Sequence, residues 1–309
     1  MRALIARVGT TDFVDLRADE FERLAALDRF GRHEVTTDPV QADVILFTQC
    51  HMVDWRLRAI RDHPFAREHW NKVMVYDERD VTWRSFPGVY VSTPAHAFDP
   101  TSQRAWGYLT NPDVLAPESS SDPDLLFSFV GSDSAPCRRP LLDLRHPDGL
   151  VEEVHGFMFW DASAPGFEGK RARYQETLAR SRFVLCPRGR GTSSIRLYET
   201  LAAGRVPVII SDDWVAPEGP DWAACSLRWP EGRTEGLTEM LAERDRDWPS
   251  MSAAASREHV AFFAADASFH RVIDLCCDLR KAGPPPSPRS RMQIRGVRAA
   301  LGNRVGRGQ

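Results

Sequence analysis

The chain has 309 residues, 42% of them hydrophobic and 27% charged, which allows two globular domains of ordinary composition. A formal net charge of −3 excludes a general electrostatic attraction to nucleic acid. No apolar run approaches the roughly 20 residues that span a bilayer, and the first residues do not have the pattern of a signal peptide.

The cysteines are consistent with a reducing compartment. All six are scattered, without a CxxC pair and without zinc-type spacing to histidine. We therefore expect reduced core thiols, no metal ion and a cytoplasmic location.

Short apolar strands alternate with helical patterns in the first third of the chain. Strands are predicted at residues 3–8, 44–47, 72–76 and 89–92, and helices at residues 20–30 and 54–62. This alternation is typical of a parallel, doubly wound α/β sheet. Asp77, Glu78 and Asp80 directly follow the third strand, and His51 and Asp54 follow the second. Open α/β sheets bind ligands at these carboxyl ends.

A proline- and serine-rich stretch at residues 111–123 predicts a linker. A second α/β pattern follows, with strands at residues 125–130, 150–154, 182–187, 206–210 and 225–229, and helices at residues 138–144, 170–180, 195–203, 234–244 and 250–281. We predict Rossmann-like domains over residues 1–115 and 122–248 and a helix within residues 249–281 that packs back toward the first domain.

The last segment, residues 282–309, has a different composition. It opens with prolines and continues rich in arginine without any acid. This predicts a disordered basic tail, and the alternative is a short amphipathic helix that touches an anionic membrane surface or a partner.

The sequence PRGRGTSS at residues 187–194 joins a buried strand to a helix and predicts a phosphate-binding loop. It matches neither the P-loop nor the dinucleotide fingerprint. Arg188 can pair with phosphate oxygens, Gly189 keeps the backbone open, and Ser193 and Ser194 can donate to a phosphate. The alternative is that both serines only cap the helix and the arginine is a surface residue.

Two further groups of polar residues extend this site. Arg196 and Glu199 lie three positions apart on one helix face, where the glutamate can accept hydrogen bonds from ribose hydroxyls or pair with the arginine. Asp212 and Asp213 follow the next strand and can hold sugar hydroxyls or serve as turn residues. Trp214, beside them, can stack on a base or sugar.

The unit around this loop resembles the exostosin family of glycosyltransferases over about residues 174–222. The order and spacing of Pro-Arg-Gly, Ser-x-Arg, Glu, Gly and Pro-Val carry the resemblance. The matching residues are Tyr174, Leu178, Ser181, Phe183, Pro187, Arg188, Gly189, Ser194, Arg196, Glu199, Leu201, Gly204, Pro207, Val208, Asp221 and Trp222. Weaker similarities are FVGS at residues 129–132, with Arg138 or Arg139 nearby, and YDERD at residues 76–80.

The resemblance implies a GT-B-like α/β fold with two facing Rossmann-like domains and a nucleotide-sugar site between them. It implies inverting transfer from a nucleoside-diphosphate sugar, most simply a UDP-sugar, to a glycan or other hydroxyl acceptor, without a metal cofactor. By the resemblance, Arg188 and Ser194 hold the diphosphate, Arg196 neutralises the leaving group or anchors the loop, and Glu199 binds the ribose. Gly131 turns the chain near the pyrophosphate, with Arg138 beside it.

Inversion requires a general base for the acceptor hydroxyl. Asp77, Glu78 and Asp80 are the first choice by position, and His51 and Asp54 are the alternatives. A non-catalytic glycan- or nucleotide-binding protein and a polyol-phosphate transferase on the same scaffold are the rival interpretations of the whole chain.

Overall fold

A computed structural model describes residues 1–8, 16–48, 57–80, 86–109, 123–154 and 166–282. The chain divides into two compact units. Unit 1 comprises Met1–Tyr90, Phe98–Arg104 and Phe269–Gln309, and unit 2 comprises Val91–Ala97 and Ala105–Ser268.

Parallel strands and three short to medium helices build the first part of the chain. The strands are β1 (Arg2–Ala6), β2 (Glu34–Val35), β3 (Val44–Phe47), β4 (Val73–Asp77), β5 (Gly88–Tyr90) and β6 (Gln103–Ala105). The helices are α1 (Leu16–Leu27), α2 (Arg58–Asp62) and α3 (Pro64–Glu68), and a 3-10 turn follows at Trp70–Lys72.

The sheet of unit 1 has the strand order β2-β1-β3-β4-β5-β6, and the pairs from β2 to β5 are parallel. Every residue of β3 and β4 is buried, as expected for strands covered on both faces. Ile45, Phe47, Val75 and Tyr90 form the centre of its core. Because β4 ends at Asp77, the predicted acidic segment does begin at a carboxyl strand end.

Unit 2 repeats the same architecture with more helices. Its strands are β7 (Leu125–Gly131), β8 (Gly149–Glu153), β9 (Ser181–Pro187), β10 (Val206–Ile210) and β11 (Leu227–Arg228). Its helices are α4 (Arg139–Leu142), α5 (Phe167–Arg180), α6 (Ile195–Ala202), α7 (Trp222–Cys225), α8 (Leu237–Arg244) and α9 (Trp248–Glu258).

The sheet of unit 2 is parallel throughout, in the order β11-β10-β9-β7-β8. Counted along the chain within each sheet, the first five strands share the order 2-1-3-4-5, and the sheet of unit 1 adds a sixth strand beside the fifth. Their direction of winding reverses between the first and third strands, where doubly wound folds bind ligands. In unit 2 this switch point lies between β7 and β9.

The predicted α/β class with two parallel, Rossmann-like sheets is confirmed. The prediction of one helix through residues 250–281 is wrong, because α9 continues as a π-helix at His259–Phe263 and the chain turns extended at Ala264 before α10 (Ala265–Lys281). The strand predicted at residues 225–229 is shorter than expected: the helix α7 ends at Cys225, and the strand β11 comprises only Leu227–Arg228.

The boundary between the units differs from the predicted linker position. Residues 91–97 and 105–109 belong to unit 2 although they precede residue 111. The cause is packing: Pro94 bridges to Trp214, and the Trp106 carbonyl accepts a hydrogen bond from Tyr198. Within α10, the residues from Phe269 onward belong to unit 1. The linker core at 110–122 and the tail at 283–309 lie outside the described residues.

Among the described helices, none is both long and apolar enough to cross a membrane.

Candidate functional site

The switch point of unit 2 brings two loops side by side. Ser128 of β7 pairs with Val184 of β9, so the carboxyl ends of these parallel strands, Gly131 and Pro187, lie at the same edge of the sheet. The glycine-rich loop leaves β9 at this edge and enters α6. The predicted phosphate-binding segment therefore occupies the position where this topology places ligands.

Arg138 ties the two loops together. Its buried guanidinium donates to the carbonyls of Ser132 (3.1 Å), Pro187 (3.2 Å) and Arg188 (2.8 Å). These acceptors are neutral, so a positive charge stays at the switch point while its hydrogen bonds hold the loop conformation. The structure thus gives Arg138 a positioning role in addition to the predicted electrostatic one.

The start of α6 has no side-chain cap. Ser194 occupies the N-cap position, but its hydroxyl makes no capping hydrogen bond. Ser193 is turned into the protein beside Tyr198. Burial raises the pKa of Tyr198, and the adjacent Ser193 and Trp214 groups lower it in part. Among the described residues no side-chain cap holds the first N–H groups of α6, although the Leu197 N–H donates to the Ser194 carbonyl at 3.1 Å. The N–H groups before Leu197 therefore meet the condition for anion binding at a helix N-terminus.

Arg196 connects the first turn of α6 to the end of β7. Its Nη2 donates to the Val130 carbonyl, and its guanidinium carbon lies 5.0 Å from the centre of the Phe129 ring. A methyl group at Gly131 would lie 2.9 Å from the same nitrogen, so a side chain at this position would displace the guanidinium from this contact. The structure accordingly supports the loop-anchoring role of Arg196, while charge neutralisation stays a prediction.

Glu199 lies behind this arginine, inside the protein. It is 7% exposed and accepts a 2.6 Å hydrogen bond from the Tyr174 hydroxyl. Burial raises the pKa of Glu199, against the opposing effects of Tyr174 and Arg196. Burial likewise raises the pKa of Tyr174 well above its ordinary value. Contact between Glu199 and a ribose stays a prediction. In this conformation its carboxylate bonds Tyr174 and so stabilises the packing of Tyr174 against Arg196.

Arg188 already has an anionic partner. Its Nε lies 2.8 and 2.9 Å from the two carboxylate oxygens of Glu231, and its Nη1 donates to the Gly189 carbonyl. The hydrogen bond with Glu231 raises the pKa of Arg188, although burial opposes it. Glu231 also accepts from the Asp212 N–H, and Asp212 accepts from the Glu231 N–H in return. Arg188 and Asp212 thus hold the loop in place through Glu231. A diphosphate would have to bind Arg188 while Glu231 is still paired with it.

The second arginine of the loop, Arg190, has a different environment. Its side chain is exposed. Within the described part of the chain it makes no hydrogen bond or ion pair. Arg190 is therefore the loop guanidinium that is available to an incoming anion.

Asp213 lies beside His96, a residue that the sequence patterns did not indicate. Its carboxylate lies 3.3 Å from Nδ1 of His96, and its carbonyl accepts from the Ala95 N–H at 2.9 Å. Both side chains are exposed, at 70% for His96 and 49% for Asp213. A carboxylate on Nδ1 orients an imidazole so that Nε2 faces outward, the arrangement of a histidine base. Since 117 residues separate the two, no local motif reveals the pair.

Trp214, which was predicted to stack on a base or sugar, is 5% exposed and packs edge-on against Trp222 at 5.0 Å. Because Trp214 packs against Trp222 in the core, its ring is not open to a ligand.

The three predicted acids of unit 1 differ from one another. Asp77 is fully buried, with its oxygens 2.9 and 2.7 Å from the Arg79 guanidinium. Glu78 accepts from the Tyr76 hydroxyl and pairs with Arg17 at 3.0 Å. Asp80 is exposed. A buried carboxylate that already accepts two hydrogen bonds from an arginine is poorly suited to take a proton from an acceptor hydroxyl. Of the three acids, Asp80 is the exposed one. His51 and Asp54 lie outside the described residues.

Comparison with known proteins gives the family. Residues 50–243 match the Exostosin GT47 domain. An exostosin-1 homolog from Caenorhabditis elegans is 42% identical over 81 residues, 26% of this chain and 21% of that protein. A probable glucuronoxylan glucuronosyltransferase from Arabidopsis thaliana, IRX7, is 42% identical over 74 residues, 24% of this chain and 14% of that protein. The probable glycosyltransferase At5g03795 of the same plant is 29% identical over 168 residues, 54% of this chain and 28% of that protein.

This chain therefore belongs to the exostosin GT47 family, a family of glycosyltransferases. Its matches span only about a tenth to a quarter of the length of these relatives. Among solved structures, a glycosyltransferase from Rickettsia africae ESF-5 aligns with 89% of this chain and 84% of its own, at 9% identity and a TM-score of 0.46.

Proposed function

We propose that this protein transfers a sugar from a nucleoside-diphosphate sugar, in the first instance a UDP-sugar, to a hydroxyl of a glycan or other acceptor, with inversion. The observation that carries the proposal is the uncapped start of α6 at the β7/β9 switch point, within the segment that matches the Exostosin GT47 domain. Uncapped N–H groups and nearby guanidinium groups favour a diphosphate.

In the proposed reaction, the acceptor oxygen attacks the anomeric carbon and the bond to the diphosphate breaks. The negative charge that develops on the diphosphate is stabilised by the α6 N–H groups, by Arg190 and by the positive charge of Arg138. These groups are already in place before reaction, which lets the chemistry proceed without a metal ion. A methyl group at Gly189 would lie 3.5 Å from Arg138, an ordinary van der Waals contact, so the space at this position does not by itself require glycine.

The proton of the acceptor hydroxyl must go to a base. We assign it to Nε2 of His96, with Asp213 stabilising the imidazolium that forms, and Asp80 is the alternative. His96 is supported by its exposure and its carboxylate partner. The facing arrangement of the two units, the cytoplasmic location and membrane contact by the basic tail remain predictions.

Nucleotide release from a panel of nucleoside-diphosphate sugars, in the presence of glycan acceptors, tests the function. We expect release of the diphosphate with at least one donor and a product of inverted anomeric configuration by proton NMR. Nucleotide binding without any release would identify a binding protein instead. Turnover confined to alcohol-phosphate nucleotides would identify a polyol-phosphate transferase.

A further inference from the structure

Three side chains that ligate metals well lie together in unit 1, and none of them belongs to the candidate functional site. Nε2 of His33 lies 2.9 Å from one carboxylate oxygen of Asp274, and Nε2 of His270 lies 3.0 Å from the other. One potential ligand atom of each residue falls within 4.8 Å of the other two. The Asp274 carboxylate thus already holds both imidazole rings close together, as the ligands of a single ion would be.

Local structure fixes this arrangement from both sides. His270 and Asp274 are four residues apart on α10 and therefore share one helix face. His33 comes from the segment just before β2. The His270 ring stacks on Phe30 with centroids 4.2 Å apart, and the two imidazoles are 4.9 Å apart. The ring positions are therefore set by packing as well as by the shared carboxylate.

Both histidines of this cluster are buried, which is unusual for histidine side chains. The side chains of His33 and His270 are only 5% and 2% exposed, whereas that of Asp274 is 43% exposed. Nδ1 of each ring is buried without a hydrogen-bond partner among the described residues. In this arrangement the Asp274 carboxylate accepts from Nε2–H of each ring. Because Nδ1 has no partner among the described residues, the ring proton can move to Nδ1 and leave the Nε2 lone pair for a cation. The exposed carboxylate provides a route of entry from solvent.

We propose that His33, His270 and Asp274 bind one zinc ion. Two imidazole nitrogens and one carboxylate oxygen are a ligand set that zinc uses, with water as the fourth ligand. Tetrahedral bonds of about 2.0–2.1 Å require ligand atoms roughly 3.3 Å apart, and the two nitrogen–oxygen distances here are already close to this spacing. The ion would cross-link the start of β2 to α10.

The charges around the cluster are compatible with a cation. The charged groups near His270, besides its partner Asp274, are the carboxylate of Asp28 and the guanidinium of Arg271. The Arg271 guanidinium lies over the Phe30 ring, 5.2 Å from its centroid. Asp274 and Asp28 supply negative charge near His270.

The test uses the full chain after treatment with a chelator. Zinc titrated by calorimetry should bind with one equivalent assigned to this cluster, and it should raise the melting temperature. Cobalt(II) should give the intense visible absorption of a four-coordinate site. Asp274→Asn, which preserves side-chain volume, should abolish that equivalent, the cobalt spectrum and the thermal shift.

His69→Ala is the matched control, since His69 lies in the same unit but outside the cluster. It should retain all three signals, and His33→Ala should lose them. If His33→Ala does not fold, the cobalt spectrum of the unaltered chain and the Asp274→Asn titration still decide the matter. Zinc binding that is absent, or that survives unchanged in Asp274→Asn, would overturn the proposal and leave a hydrogen-bonded triad only.

Discussion

The polar side chains around the start of α6 fall into two groups by their partners. Arg138, Arg196 and Glu199 make hydrogen bonds to the protein that hold the two loops. Arg190 and the His96–Asp213 pair are exposed. We infer that the first group shapes the site and that the second meets the ligand. This division determines which substitutions should affect stability and which should affect turnover.

Glu199→Gln should change the pH dependence of stability. Because burial raises the folded-state pKa of Glu199, the folded protein holds this proton more tightly than the unfolded chain. Its contribution is complete below the ordinary carboxyl pKa and is lost as pH rises through the folded value. The wild-type free energy of unfolding should therefore fall relative to that of the variant over this window. Denaturant titrations at a series of pH values measure it.

Glutamine at position 199 still accepts from the Tyr174 hydroxyl, so the variant keeps the packing of this region. Exposed Glu243→Gln is the matched control. A wild-type protein that gains stability relative to Glu199→Gln as pH rises would contradict the assignment of a buried, proton-retaining carboxyl group.

His96→Gln should lower kcat by about 10²- to 10⁴-fold if His96 is the acceptor base. The affinity for the nucleoside diphosphate should be unchanged, because the imidazole acts on the acceptor. Steady-state kinetics and calorimetry on the same preparation separate the two quantities. Asp80→Asn serves as the comparison, and loss of turnover there, with His96→Gln fully active, would transfer the role to Asp80.

At the scale of elements, the site depends on how the end of β7 and the beginning of the glycine-rich loop are held together. Gly204, with φ of +62°, ends α6 in the left-handed conformation, as its predicted position after the helix requires. Ser211 at the end of β10 donates to the Thr192 carbonyl at 2.7 Å and fixes the loop from its other side. The loop is thus bound to all three central strands of its sheet.

Arg138→Ala should destabilise unit 2, because three carbonyls, one of them in a buried hydrogen bond and two in part-buried ones, lose a shared donor. Each carbonyl left unsatisfied costs about 1–3 kcal/mol before water enters, so a total loss of roughly 3 kcal/mol is expected. The neighbouring Arg139→Ala removes ion pairs to Asp133 and Glu153 from a side chain that is 48% exposed. Exposed ion pairs of that kind contribute little to stability because solvent screens them. Thermal and denaturant unfolding compare the variants, and equal effects would contradict the bracing role of Arg138.

The sequence predicts elements best where a periodic apolar pattern sits next to turn chemistry. The strand at 182–187, the helix after Ser194 and the strand at 206–210 are found within a residue or two of their predicted bounds. Residues 250–281 fail because the break at Ala264 has no proline or glycine to mark it. Side-chain pairs such as Arg188–Glu231 and His96–Asp213 come from tertiary contacts across 43 and 117 residues, which one-dimensional patterns do not encode.

At the scale of the whole molecule, two sheets whose first five strands share the same order occur in one chain, and each has its own buried core. The match to the Exostosin GT47 domain extends over residues 50–243 and so includes strands of both sheets. From the family and the repeated topology we propose that unit 2 binds the donor, and the proposed base His96 lies in the same unit. The switch point of the unit 2 sheet is therefore the place where donor binding is to be tested.

Acid should destabilise the whole protein partly through His259. Burial lowers the pKa of His259 to about 4, against a smaller opposing effect of Asp266. A depressed histidine pKa gives stability that is complete above the unfolded value near 6.5 and is lost as pH falls toward 4. His259→Phe should remove this loss, which is on the order of 2 kcal/mol. Melting curves from pH 7 to 4 measure it, with His69→Phe as control, and parallel curves for wild type and His259→Phe would contradict it.

Calorimetric titration with uridine diphosphate tests the central claim, a nucleoside-diphosphate site at the start of α6, most directly. Arg190→Ala should weaken binding about 10- to 100-fold, as expected for loss of a charge-assisted hydrogen bond of roughly 1.5–3 kcal/mol. Arg246→Ala, whose side chain is 85% exposed on the turn before α9, should bind like the wild type. Uridine should bind far more weakly than its diphosphate. Equal diphosphate affinity in Arg190→Ala and wild type, or equal affinity for uridine, would contradict the account.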